Sequence, residues 1–157
     1  MDRETLKIAQ EILLSGARAK KFYAKLGEAL MEQKDINLNE AELLLYFADH
    51  ENSESGAAKQ RAVSKSLVSK GVDSLVKKGL AIIQQDEADR RCNKVVLQAR
   101  GKALAEEIRE LGKQFAAAVM KGITREQMAI VRDIIEMISR NIEDGLRQIK
   151  EGSGKGD

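Results

Sequence analysis

The chain has 157 residues, 43% hydrophobic and 33% charged, with aromatics at 3% and neither Trp nor Pro, a size that suits one domain or one domain with a long extension. No run approaches the ~20 apolar residues of a membrane span, and Lys7, Glu11, Arg18, Lys20 and Lys21 interrupt the first helix where a signal peptide would be apolar. A single cysteine, Cys92, excludes an intramolecular disulfide framework and fits a reducing cytosol, and one histidine, His50, argues against a His-rich metal site or a Cys–His catalytic pair.

The first predicted helix spans 4–33. Its apolar stripe, Ala9, Leu13, Gly16, Ala19, Phe22, Leu26 and Ala29, advances by steps of three and four. After a polar break at 34–36, Asn39 and Glu42 read as a capping box with Leu38 and Leu43 as its hydrophobic staple, opening a second helix through Leu44, Leu45 and Phe47. The polar stretch 50–56 reads as a loop, followed by a short segment, 56–63. Ser64 is a good N-cap, flanked by Val63 and Val68. In the helix it starts, Val68, Val72, Leu75 and Val76 face a core, whereas Ser66, Ser69, Lys70, Asp73 and Lys77 face away, and Gly79 is placed as the stop.

Ala81-Ile82-Ile83-Gln84 and Lys94-Val95-Val96-Leu97 read as two strands of a hairpin with a long basic tip, too small to stand without helices behind it. Helical character returns from Ala99 to about Lys121. Thr124 and Gln127 form another capping box, with Ile123 and Met128 as staple. The last helix carries Met128, Val131, Ile135, Ile138, Ile142 and Ile149 on one stripe, with Ile134 and Leu146 alongside. Residues 152–157 have the composition of a disordered tail.

Charge is distributed unevenly along this order. The net charge is only +2, but the segment 57–102 holds eleven basic and four acidic residues, a net of +7 that leaves −5 for the rest. Such a segment is the electrostatic footprint of a polyanion-binding surface, or else a solvated charged face.

Helix, helix, basic helix, basic two-stranded hairpin and two long helices make a winged helix-turn-helix. The run from Ser64 through Val68, Ser69, Lys70, Asp73 and Leu75 to Gly79-Leu80 resembles the recognition helix of the multiple-antibiotic-resistance regulator (MarR) family. Asp89-Arg90-Arg91-Cys92-Asn93-Lys94-Val95-Val96-Leu97 is similar to that family's wing signature, Asp-x-Arg followed by a strand ending in Leu. The resemblance covers nearly the whole chain in element order. Two features depart from the pattern: the segment 56–63 is about one turn short of a full helix, and Gln98 stands where the family usually has Thr.

The resemblance implies a mainly α fold with a small two-stranded β wing, the winged helix-turn-helix being flanked by N- and C-terminal dimerisation helices. On that reading 1–151 is one domain: 4–33 and 123–150 dimerise, and 38–121 form the DNA-binding lobe with its wing at 81–98. Leu13, Ile135, Ile138, Ile142 and Ile149 would build the homodimer seam; packing within one subunit is the plainer account of the same stripes. Ser64, Lys65, Ser66, Ser69 and Lys70 would face the major groove, Arg91 would enter the minor groove, Asp89 would orient the arginines, and Arg90 or Lys94 would contact phosphate. The resemblance further implies a small aromatic or anionic effector, for which Phe22, Tyr23, Tyr46 and Phe47 would line a cleft, although ordinary core packing explains each of them singly. Cys92 lies beside Arg91 and Lys94, which favour a thiolate, but a lone cysteine in a wing needs no role.

The expected protein is therefore a cytoplasmic, ligand-responsive transcriptional regulator, a repressor that binds double-stranded DNA as a homodimer without metal or cofactor. A winged-helix module for protein assembly is the rival, against which the basic, Ser-rich helix face argues. An enzyme is disfavoured: the sequence holds no Gly-rich phosphate loop, no nucleophile with a nearby base and no metal-ligand spacing.

Overall fold

The protein is described by a computed structural model covering residues 2–50, 53–85 and 93–153. Two units divide the chain, Met1–Ala118 and Val119–Asp157. In the first unit, Asp2 caps α1 (Arg3–Gln33) by accepting the Thr5 N–H at 2.7 Å. The helix closes with Asp35 in the left-handed region (φ 52°), the Asp35 N–H on the Glu32 carbonyl and the Ile36 N–H on that of Met31. This paired closure turns Ile36 into the core directly after the helix.

The cap of helix α2 (Leu38–Asp49) lies two residues earlier than expected. Asn37, not Asn39, accepts the Glu40 N–H at 3.0 Å, and Glu40 accepts the Asn37 N–H at 2.8 Å. The sequence contains two overlapping Asn-x-x-Glu boxes, and the closure at Asp35 selects the first. Helix α3 (Glu54–Gln60) also begins earlier than expected, because Ser53 accepts the Gly56 N–H at 3.2 Å and draws part of the supposed loop into the helix. At seven residues it is short, as the sequence implies. It buries only Ala57 and Ala58.

A tight turn with Ala62 at φ 51° then leads to Ser64, which caps α4 (Lys65–Lys77) through the Leu67 N–H. Val68, Gly71, Val72 and Leu75 of α4 are buried, but Val76, expected in the core, is 36% exposed. It lies about 100° around the helix from Leu75, past the edge of the buried stripe. Gly79 (φ 68°) closes α4, with the Leu80 N–H on the Leu75 carbonyl.

Strands β1 (Ala81–Gln85) and β2 (Asn93–Leu97) pair antiparallel, Ala81 opposite Leu97 and Gln85 opposite Asn93. Ala81, Val95 and Leu97 turn inward onto Leu43, Leu44, Val68, Val72, Leu75, Leu104, Ala105 and Ile108, a core completed by Tyr46 and Phe47. Helix α5 (Ala99–Val119) packs against the strand connection so closely that a Cβ on Gly101 would lie 2.1 Å from the Leu80 carbonyl oxygen.

In the second unit, Gly122 (φ 82°) precedes the expected capping box: Thr124 and Gln127 exchange bonds of 2.9 and 3.2 Å and start α6 (Arg125–Ser153). The helix runs to Ser153, so 152 and 153 belong to it and not to a tail; 154–157 lie outside the described residues. Among the described residues no helix is long and apolar enough to cross a membrane.

Candidate nucleic-acid interface

Capping by Ser64 makes the first turn of α4 an exposed end. Ser64, Lys65, Ser66, Leu67 and Lys70 are exposed and Ser69 is half-buried, while the opposite side of the same helix is sealed into the core. The five groove-facing residues expected from the sequence are thus brought to one end of one helix, with hydroxyls and ammonium groups outward. No described acidic side chain forms an ion pair with Lys65 or Lys70, so both charges are available to an anion.

Two other cations counted in the basic segment are taken up by the fold. Arg61 is largely covered and bonds Glu42, and its second nitrogen donates to Asn39 Oδ1 at 3.3 Å. Lys78 donates to both carboxylate oxygens of Glu40 at 3.0 and 3.1 Å and to the Asp35 carbonyl. Glu40 is 1% exposed. Burial pushes its carboxyl up, but bonds from Ser74, the Asn37 N–H and Lys78, with the Lys78 charge, more than reverse this and hold it below the usual carboxylate range. The footprint is therefore less basic than the count of eleven suggests.

Asn39, displaced from its expected capping role, is the second residue of α2 and donates through Nδ2 to the Leu67 carbonyl at 3.2 Å. Gly71 leaves the room for this, since a Cβ there would lie 2.6 Å from Asn39 Nδ2 and 2.4 Å from Leu43 Cδ1. Arg61, Asn39 and Leu67 thus form a relay that fixes the start of α4 against α2. Sequence reasoning misses this role of Asn39 and Arg61; the overlapping Asn-x-x-Glu boxes are the available signal, because only one of the two asparagines can cap.

Between α3, the start of α4 and the strands lies a recess of about 340 Å³, bordered by Ser53, Glu54, Ser55, Lys65, Ile83 and Asn93. Lys94, half-buried, pairs with Gln84 across the hairpin. Asp89, Arg90, Arg91 and Cys92 fall outside the described residues. The four aromatic residues expected in an effector cleft form two groups. Phe22 and Tyr23 pack on Phe115 at ring distances of 5.7 and 5.4 Å, whereas Tyr46 and Phe47 belong to the core and meet edge-on at 5.1 Å. Burial, then the Glu42 charge, pushes the Tyr23 hydroxyl up.

The expected seam residues are displayed on both long helices. Leu13 of α1 is 77% exposed, with Leu6, Ile8, Ile12 and Leu14 exposed near it in sequence. On α6, Ile135, Ile142 and Ile149 are exposed and Ile138 is half-buried. Met120, Ile123, Met128, Val131 and Ile135 line an apolar groove of about 260 Å³ within the second unit.

No known family's sequence pattern matches the chain, and no curated protein matches it. Solved structures do. A regulator assigned to the MarR family from Listeria monocytogenes, complexed with 26mer DNA, superposes with a TM-score of 0.79 at 15% identity, over 92% of this chain and 94% of that one. CouR from Rhodococcus jostii RHA1, bound to p-coumaroyl-CoA, gives 0.71 at 17% identity, over 83% and 92%. BpsR from Bordetella bronchiseptica, whose DNA binding is regulated by 6-hydroxynicotinic acid, gives 0.66 at 19%, over 82% and 98%. The chain has the MarR winged-helix fold, mainly α with a two-stranded wing.

Proposed function

We propose that this protein is a transcriptional regulator, not an enzyme, that binds a pseudo-palindromic DNA operator as a homodimer. The observation that carries the reading is the first turn of α4. A buried helix face holds an exposed end bearing Ser64, Lys65, Ser66, Ser69 and Lys70, a set suited to phosphates and to the base edges of a major groove. Arg91 serves the adjacent minor groove, where the concentrated negative potential favours arginine; Asp89 orients the arginines, and Arg90 or Lys94 contacts phosphate.

The apolar rows on α1 and α6 are larger than scattered surface residues would make, and a second copy of the chain is the partner that covers them. Two-fold symmetry then places two α4 helices about one DNA turn apart. We assign the repressor role and release by a small aromatic or anionic effector by analogy with the regulators of the same fold that carry DNA or an acyl-CoA. Such an effector acts only by favouring a dimer whose recognition helices no longer match the half-sites.

The test is selection of bound fragments from a random duplex library at moderate salt. An inverted repeat with half-sites about 10 base pairs apart is expected. A folded dimer that enriches no sequence overturns the proposal.

A further inference from the structure

The first turn of α4 contains one residue that neither its charge nor the core explains. Leu67 is 42% exposed and lies outside the hydrophobic core cluster, although Val68 beside it is completely buried. Its main chain is engaged on both sides, the N–H held by Ser64 Oγ at 3.2 Å and the carbonyl by Asn39 Nδ2 at 3.2 Å. Neither bond calls for a leucine, because any residue type but proline supplies that N–H and that carbonyl. The isobutyl group is therefore presented to solvent on a rigid, doubly anchored backbone, between Ser66 and Lys70 on the end of the helix that carries the hydroxyls and ammonium groups.

Resting on the proposed DNA-binding function, we infer that Leu67 is a specificity-determining residue that reads the 5-methyl group of a thymine in each half-site. The major groove offers a protein one apolar feature, the thymine methyl, beside its pattern of donors and acceptors. Ser66 and Lys70 match the donors and acceptors, and Leu67 matches the methyl. Val76, the other exposed aliphatic residue of α4, sits in its last turn beside Lys77, away from the capped end. An aliphatic side chain also discriminates without a hydrogen bond: cytosine has no methyl at C5, and it carries an amine where thymine has its O4 oxygen. The anchors at Ser64 and Asn39 fix the backbone that carries Leu67, so its Cα cannot withdraw from a mismatched base without breaking one of them.

The experiment uses the full chain and the half-site obtained by selection from the random duplex library. Each thymine is replaced in turn by deoxyuridine, which removes only the methyl. One thymine per half-site is expected at which replacement weakens binding about fourfold, the value of one buried methyl-sized group. Leu67→Ala, which removes no member of the core cluster and adds helix propensity, is expected to bind the thymine operator about as weakly as the wild type binds its deoxyuridine counterpart. It should also lose the difference between the two. The inference is overturned if no thymine is sensitive, or if Leu67→Ala keeps the wild-type ratio at every position. Failure of the wild type to select any sequence is a separate result, which overturns the DNA-binding reading and this inference with it.

Discussion

Asn39 donates through its side-chain amide to the carbonyl of Leu67 at 3.2 Å, and this single bond ties the start of α2 to the exposed first turn of α4. Arg61 holds the other end of the same amide, at 3.3 Å from Oδ1, while its second nitrogen is paired with Glu42. Position and orientation of the recognition turn thus depend on a polar relay rather than on the core alone. Asn39→Ala is expected to cost about 1–2 kcal/mol, the loss of a hydrogen bond with its partners left under-satisfied. Asn39→Ala and Arg61→Ala together should cost less than the sum of the two, since both break one network. Urea unfolding of the single and double variants measures both effects; strict additivity would mean that the relay does not act as a unit.

That relay also shows what can be read from the sequence. The order of elements, the Ser64 and Thr124 caps, the wing strands and the exposed hydroxyl-and-lysine end of α4 follow from periodicity and cap chemistry, and the structure repeats them. The cap of α2 is not legible in the same way, because local chemistry offers two equal Asn-x-x-Glu boxes and only the left-handed closure at Asp35 decides between them. The start of α3 is hidden because Ser53-Glu54-Ser55-Gly56 has loop composition, although a serine followed by a glutamate also opens a helix. Arg61 and Lys78 read as surface charge because their partners, Glu42 and Glu40, are 19 and 38 residues away. No local pattern reports such a pairing.

The buried carboxylate of Glu40 makes stability depend on acidity. Its folded pKa lies below the unfolded value, so its contribution is fully present above the unfolded carboxylate range and is lost as pH falls through the folded pKa. Glu40→Gln removes one partner of a buried pair and leaves Lys78 facing a neutral amide, at an expected cost of about 3 kcal/mol at neutral pH. As pH falls below the ordinary glutamate range the wild type loses this advantage progressively, and the gap between the two proteins should narrow. Denaturant midpoints measured between pH 3 and 7 test this; a gap that stays constant with pH would contradict it.

Ala62 occupies the left-handed region at φ 51° in the turn between α3 and α4, a conformation in which a Cβ is unfavourable. Its N–H bonds the Lys59 carbonyl, and the next N–H, of Val63, bonds that of Ala58, so the turn cannot relax without losing the closure of α3. Ala62→Gly is expected to stabilise the protein by up to about 1 kcal/mol, the relief of strain exceeding the entropy gained by the unfolded chain. A lower melting temperature in the variant would show that the alanine is not strained there.

Gly101 meets the opposite restriction. Its φ is ordinary, but the Leu80 carbonyl oxygen lies where a Cβ would be, and that carbonyl is fixed by the Gln98 N–H at 2.9 Å. The obstacle is backbone, so no side-chain rotation makes room. Gly101→Ala should cost about 2 kcal/mol or more, in the range of overpacked cores, and should displace the base of the wing from α4. Stability and DNA affinity are then expected to fall together, whereas Lys65→Ala and Lys70→Ala, both exposed, should lower affinity with the melting temperature unchanged. Each lysine variant is expected to reduce the slope of log affinity against log salt by about 1 if its ammonium group meets a phosphate. A lysine whose removal leaves that slope intact contacts a base edge or nothing, and the two are separated by whether sequence preference changes at one position.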